Sequence, residues 1–230
     1  MKKITIALSA LSLFLAISSN AQEKTSFISI QAGTSIPLGK FHDKELPQGG
    51  FATTGFSGSL EGAWFFKPWL GVGANVGFNM HPVDSEALSG EKLAADPFLT
   101  KLVIRSEPYT SPGIYAGLFF SLQVREKLHI TFKALGGMLY ARTPYQLNKA
   151  EYYLIGKNWY EKTPAGDYEF SWLGGAGLRY DLNDYLGFAL NSEFTYNQCE
   201  FDFVIPGGSI RTDQIVISFV NISGGIVFKL

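Results

Sequence analysis

The chain has 230 residues, 19 Lys plus Arg against 20 Asp plus Glu, and a single cysteine, Cys199. This balance excludes a surface that holds nucleic acid by net positive charge, and a lone cysteine excludes an internal disulfide. Glycine (25 residues) and aromatic side chains (15%) are abundant without Pro-rich or low-complexity runs, which favours many strands over helices or disorder.

The chain opens on Met1-Lys2-Lys3, runs through apolar residues from Ile4 to Ile17, and reaches small residues at Ser19 and Ala21. A basic head, short greasy body and small-residue end describe a secretory signal, so cleavage is expected after Ala21. The run is too short for the roughly 20 residues of a membrane helix, and Gln22 offers no thiol for a lipid anchor. The expected organisation is a signal peptide over 1–21 and one domain over 22–230, in which 17 basic residues face 20 acidic ones. Beyond Ala21 no apolar stretch reaches ~18 residues, so no transmembrane helix is expected.

A first strand is expected over about residues 25–33. From Gly55 the sequence reads GFSGSLEGAWFFKPWLGVGANVGFN. Phe56, Gly58, Leu60, Gly62 and Trp64 fall on one face and Ser57, Ser59, Glu61 and Ala63 on the other. After Lys67-Pro68, Leu70, Val72, Ala74, Val76 and Phe78 alternate with Gly71, Gly73, Asn75, Gly77 and Asn79. A period of two is the signature of a strand, and Pro is admitted at the turn, where no ladder donor is needed. The pattern recurs from Ile114 to Leu122, through Val124-Arg125-Glu126-Lys127, into Leu128 to Tyr140, where His129, Thr131 and Lys133 take the alternate face. A third pair runs from Phe170 to Leu178 and from Leu186 to Tyr196, and a last strand covers about residues 214–230.

Eight strands joined by alternately short and long connections predict an all-β, antiparallel up-and-down barrel with one tight end and one elaborate end. The weaker face decides its surroundings. A water-soluble barrel would carry many charges there, whereas these strands carry chiefly Gly, Asn and Ser, with Glu61, Lys133, Arg179 and Glu193 in their cores and Lys229 near an end. The four core charges are expected to pair as one network in a sealed lumen, while the apolar face meets lipid. Trp64, Phe65, Phe66 and Trp69 with Tyr180 and Tyr185 are expected as one aromatic girdle, and Tyr140, Tyr168 and Tyr196 as the other.

The signal ending Asn20-Ala21-Gln22, the early Gly33-Thr34-Ser35-Ile36-Pro37-Leu38-Gly39, the repeated Gly-x-Gly strands and the end Gly224-Gly225-Ile226-Val227-Phe228-Lys229-Leu230 carry a resemblance. The chain resembles the small outer-membrane β-barrel proteins of Gram-negative bacteria, particularly the broad outer-membrane β-barrel domain group of the Bacteroidetes. That resemblance implies the cell outer membrane, insertion by the barrel-assembly machinery, short turns in the periplasm and long loops outside. Such chains often end on an aromatic residue; this one ends Phe228-Lys229-Leu230, with Ile226, Phe228 and Leu230 still in register.

Chemistry is sparse. His42, His81 and His129 have no metal-ligand spacing with one another or with Cys199, and no cofactor motif is present. His42 beside Asp43 and Glu45, and His81 before Asp84, Ser85 and Ser89, form an inventory for acyl hydrolysis without a signature, so no enzyme is expected. His129, just past a short turn, is expected at the interface. The richest stretch is 141–168, where Tyr145, Tyr152, Tyr153, Trp159 and Tyr160 interleave with Lys149, Lys157, Glu161 and Lys162 as a recognition surface for an external protein or glycan, or as rim packing. Residues 86–93 read as a short helical turn inside another long loop. The expected function is a structural or surface-interaction barrel, monomeric and without nucleic acid. The alternatives are a narrow transport or small-hydrophobe uptake barrel, and a lipid-modifying enzyme in which His42 or His81 converges with a Ser and an acid.

Overall fold

The computed structural model describes residues 26–204 and 210–230; the expected signal peptide lies outside them. In chain order the elements are β1 (Phe27–Pro37), a 3-10 turn (Gly39–Phe41), β2 (Gly55–Lys67), β3 (Leu70–His81), α1 (Ser85–Ala95), β4 (Leu99–Ser106), β5 (Tyr109–Arg125), β6 (Leu128–Arg142), β7 (Gln146–Tyr152), β8 (Gly156–Lys162), β9 (Gly166–Asp181), β10 (Leu186–Val204) and β11 (Ile210–Lys229). Eight of them close a barrel in the order β1-β11-β10-β9-β6-β5-β3-β2. Closure follows from β1 pairing with β2 on one side, Ile30 opposite Leu60, and with β11 on the other, Ile30 opposite Ile226. The meander and its eight strands are those expected from the period-two segments.

Cross-strand register sorts the side chains into rows. Ile30, Leu60, Val76, Ile114, Met138 and Phe170 are successive neighbours around the wall and point out; one position away, Ser29, Glu61, Asn75, Tyr115, Gly137 and Ser171 are also successive neighbours and point in. Because a one-residue slip would exchange these sets, the register is fixed by the alternation itself. The inward glycines set the wall spacing: a Cβ on Gly73 would lie 2.3 Å from the Gly62 carbonyl oxygen and 2.7 Å from the Phe119 ring.

The short turns and the described chain ends occupy one pole, and the long connections occupy the other. There β4, β7 and β8 form a second sheet in the order β4-β7-β8, with α1 against one face. Phe51, Leu88, Leu99, Leu102, Ile104 and Ala150 make its core, and Tyr152 packs beside them. Phe51 holds a left-handed φ of 54° with its ring 2% exposed, a strained backbone kept in place by that packing. The long connections are therefore largely structured: the short helical turn expected at 86–93 lies within α1, whereas the alternation of large apolar residues marks β4, β7 and β8 only as loop. The helix begins at the Asp84 cap, whose carboxylate accepts from the Ala87 N–H at 3.0 Å and from Lys44 Nζ at 2.6 Å.

These two bonds, Lys44 first, hold the Asp84 carboxyl below its ordinary pKa, so the latch is complete at neutral pH and is lost as pH falls through that lowered value. Asp84→Ala is expected to weaken the α1 segment by about 1 kcal/mol. Limited proteolysis should then cut within 85–95 while the barrel survives; unchanged protection would refute the latch.

Above Trp172 opposite Tyr196 the β9–β10 ladder stops, although both strands continue. Side chains bridge the parting: Ser171 Oγ donates to the Tyr196 carbonyl at 3.2 Å, and the Glu200 N–H donates to Asp167 Oδ2 at 2.8 Å.

Candidate functional site

Inside the barrel, the alternation of β6 turns Lys133 inward, and its ammonium contacts both Glu61 of β2 and Glu193 of β10. All three side chains are 4% exposed. Gly175 is the spacer that allows this: it sits in register between Lys133 and Glu193, and a Cβ there would lie 2.9 Å from Lys133 Cε and 3.2 Å from Glu193 Cγ. Glu61 also accepts from Asn75 Nδ2 at 3.3 Å and Gln31 Nε2 at 3.4 Å, which further compensates its removal from water.

Arg179, expected as the fourth member, lies elsewhere. Its neighbours across the ladder are His129 and Ala189, near a short turn, whereas Lys133 is opposite Gly175. Arg179 Nε lies 3.3 Å from Asp181 Oδ1, and the guanidinium stacks over Phe27 at 5.2 Å. Asp181 also faces Lys229 Nζ at 2.9 Å and His129 Nε2 at 3.4 Å. His129, expected at the interface, is thus an interior group, 4% exposed. The Phe27 and Phe119 rings, 6.3 Å apart, separate the two charge groups. Phe65, expected in a girdle, also points in, because β2 keeps its alternation as far as Phe65 and breaks it only beyond, at the irregularity before Lys67.

The rest of the lumen is filled. Asn191 Nδ2 and Ser223 Oγ both donate to Gln31 Oε1, at 2.8 and 3.0 Å. A cavity of about 10 Å³ remains beside Ser57, Asn75, Tyr115 and Glu193, room for a single water. At the long-loop mouth the 3-10 turn inserts Phe41, fully buried, edge-on against His81 at 5.0 Å and Tyr109 at 5.2 Å. An isolated aromatic in a polar loop gave no periodic signal, so this stopper was not legible.

The groups considered for chemistry do not assemble. His81 Nε2 is 2.8 Å from Ser35 Oγ, but the pair is sealed beneath Phe41, and no carboxylate hydrogen-bonds His81 Nδ1. His42 Nδ1 donates to the Ala52 carbonyl. Cys199 is fully buried, with Sγ 3.0 Å from Asn197 Oδ1. Among the described residues no cluster of three or more His, Cys, Asp or Glu has metal-site geometry.

At the outer sheet the five aromatics of the recognition stretch part company. Tyr153 at the β7–β8 turn is 79% exposed and Trp159 on β8 is 64% exposed, with Lys149 Nζ 4.3 Å from the Trp159 ring centre. Leu154, Ile155 and Phe98 add to the exposed tip. Tyr152 turns to the α1 core, Tyr160 shares that inner face, and Tyr145 hydrogen-bonds the Glu161 carboxylate, which raises its phenol pKa. The missed components are the apolar tip and the strands beneath it, whose half-exposed faces break the apolar alternation.

The outer surface of the barrel is the inverse of its interior. Ile30, Leu60, Ile114, Phe188 and Leu190 are each more than half exposed, while Gln31, Glu61, Asn75, Lys133, Arg179 and Glu193 are buried. No water-borne barrel gains by this arrangement, and a closed ladder leaves no edge unpaired for hydrocarbon to penalise. The wall faces lipid. Trp64, Phe66, Trp69, Tyr180 and Tyr185 ring the short-turn end of this transmembrane barrel, and Tyr140, Tyr168, Trp172 and Tyr196 ring the other, where polar-edged aromatics meet headgroups.

No protein-family model matches the sequence, and no curated protein matches it. Among solved structures the transmembrane barrel is similar to a major outer membrane protein of Thermus thermophilus (10% identity, 89% of this chain and 99% of that one, TM-score 0.47). It is also similar to OprG of Pseudomonas aeruginosa (12%, 90% and 97%, 0.45) and to Ail, the attachment invasion locus protein of Yersinia pestis (14%, 90% and 99%, 0.44).

Proposed function

We propose that this chain is an integral outer-membrane protein of the Bacteroidetes-type barrel group, with a structural and surface-interaction role exerted from its long-loop pole. The filled lumen carries this reading: crossed charges, packed rings and a seated Phe41 favour a wall element over a conduit. An eight-stranded interior is in any case only wide enough for side chains or one small ligand. What the molecule offers to its surroundings is the Phe98, Tyr153, Leu154, Ile155 and Trp159 surface, flanked by Lys149 and Lys157, a chemistry suited to an external protein or glycan. Catalysis is not proposed, since the buried Ser35–His81 pair supports packing rather than turnover. Its assembly partners would be lipid and the barrel-assembly machinery.

The test is conductance in planar bilayers together with binding to glycan and matrix-protein arrays. The folded chain is expected to give no steady conductance, and joint replacement of Tyr153, Leu154, Ile155 and Trp159 by serine should abolish array binding without altering heat-modifiable mobility. Steady ohmic steps would instead establish the transport alternative.

A further inference from the structure

The outer sheet ends on β8, which is bonded to β7 along one side. Among the described residues no other strand takes up its second side, and residues 157–162 are all exposed. Bare strand edges invite another strand, and natural proteins blunt them with charged side chains, Pro or bulges. This edge carries charge of both signs, which opposes most strands but not its own copy in the right register. On the face turned away from α1 it carries Lys157, Trp159 and Glu161, a sequence that becomes its own complement when read backwards.

The rows leading to the edge continue the pattern. Lys101 is opposite Glu151, which is opposite Lys157; Val103 is opposite Lys149, which is opposite Trp159; Arg105 is opposite Leu147, which is opposite Glu161. An antiparallel neighbour centred on Trp159 would set Glu161 of the partner subunit beside Lys157, extending a row of alternating charge, and would repeat the match in the symmetric row. The two indoles would meet at the centre, each flanked by its own Lys149. Centring on Asn158 instead sets Lys157 against an indole, and centring on Tyr160 sets Glu161 against one, so only the Trp159 register satisfies both charges. That register also brings the exposed Tyr153-Leu154-Ile155 tip alongside Thr163 and Pro164 of the partner subunit.

We propose that two copies of this chain join edge to edge through β8, in antiparallel register about Trp159, giving one continuous six-stranded sheet at the outer pole. A self-complementary patch of this kind is what a two-fold interface requires, and opposite charges directly across a strand pair stabilise it where like charges oppose it. The inference deepens the reading of the outer sheet as an interaction element, but its test needs no outside ligand.

The full chain, folded in detergent, is compared by sedimentation with Lys157→Glu, with Glu161→Lys and with an equimolar mixture of the two. The unaltered chain should be dimeric. Each substitution alone places like charges across both symmetric rows and should weaken association roughly tenfold or more. The mixture restores opposite charges and should recover the dimer, which damage to folding could not do; heat-modifiable mobility reports folding separately. A monomeric unaltered chain at about 0.1 mM, where a contact with Kd ~10 μM would be mostly dimer, overturns the proposal, as do single variants that associate like the unaltered chain. A monomer that still binds arrays through its tip would sink the dimer alone and leave the surface-interaction role standing.

Discussion

Lys133→Met should destabilise the folded barrel by about 3–5 kcal/mol, because it leaves Glu61 and Glu193 in the lumen without their shared cation. The loss is read as a lower urea midpoint and a smaller heat-modifiable folded fraction. Breaking a buried cluster from one side is costly in a way that removing all its charges is not. The triple variant Lys133→Met, Glu61→Gln, Glu193→Gln should therefore recover most of the midpoint. Lys149→Ala offers the contrast: its stacking on exposed Trp159 contributes only about 0.5–1 kcal/mol. Equal midpoints for Lys133→Met and the unaltered chain would remove the charge cluster from any account of stability.

The second large effect concerns the outside of the wall. Leu60 lies near the middle of β2, 51% exposed, with Ile30 and Val76 beside it. If that surface met water, Leu60→Arg would change stability by no more than about 0.5 kcal/mol. Facing hydrocarbon, it should cost about 2–4 kcal/mol in lipid vesicles, and the same substitution near a headgroup level should cost far less. A null result at Leu60 would contradict the orientation on which the membrane assignment depends.

The barrel was legible because its determinants are local and repeated. Leu70 to Asn79 needs only a period of two to assign its faces, and eight such segments with alternating connection lengths leave few topologies. The lumen was legible only by residue type. Nothing local says that Lys133 reaches across to Glu61 and Glu193 while Arg179 turns to Asp181; that depends on stagger between strands distant in sequence. The same holds for Phe65, whose place beside other aromatics suggested the headgroup level although its parity put it inside. The outer sheet escaped for another reason: Gln146 to Tyr152 alternates between a helix-covered face and a wet one, and polar residues at Gln146 and Asn148 occupy the covered side. Apolar periodicity is blind to a strand of that kind.

The placement of Phe41 has a consequence for how such a molecule can change over generations. Its ring, with His81 and Tyr109, forms a floor beneath the outer elements. Substitutions or insertions in the α1–β4 segment and in the β7–β8 hairpin can accordingly accumulate without disturbing the membrane-embedded part. What the molecule displays at that pole is thereby mechanically insulated from the anchor below it.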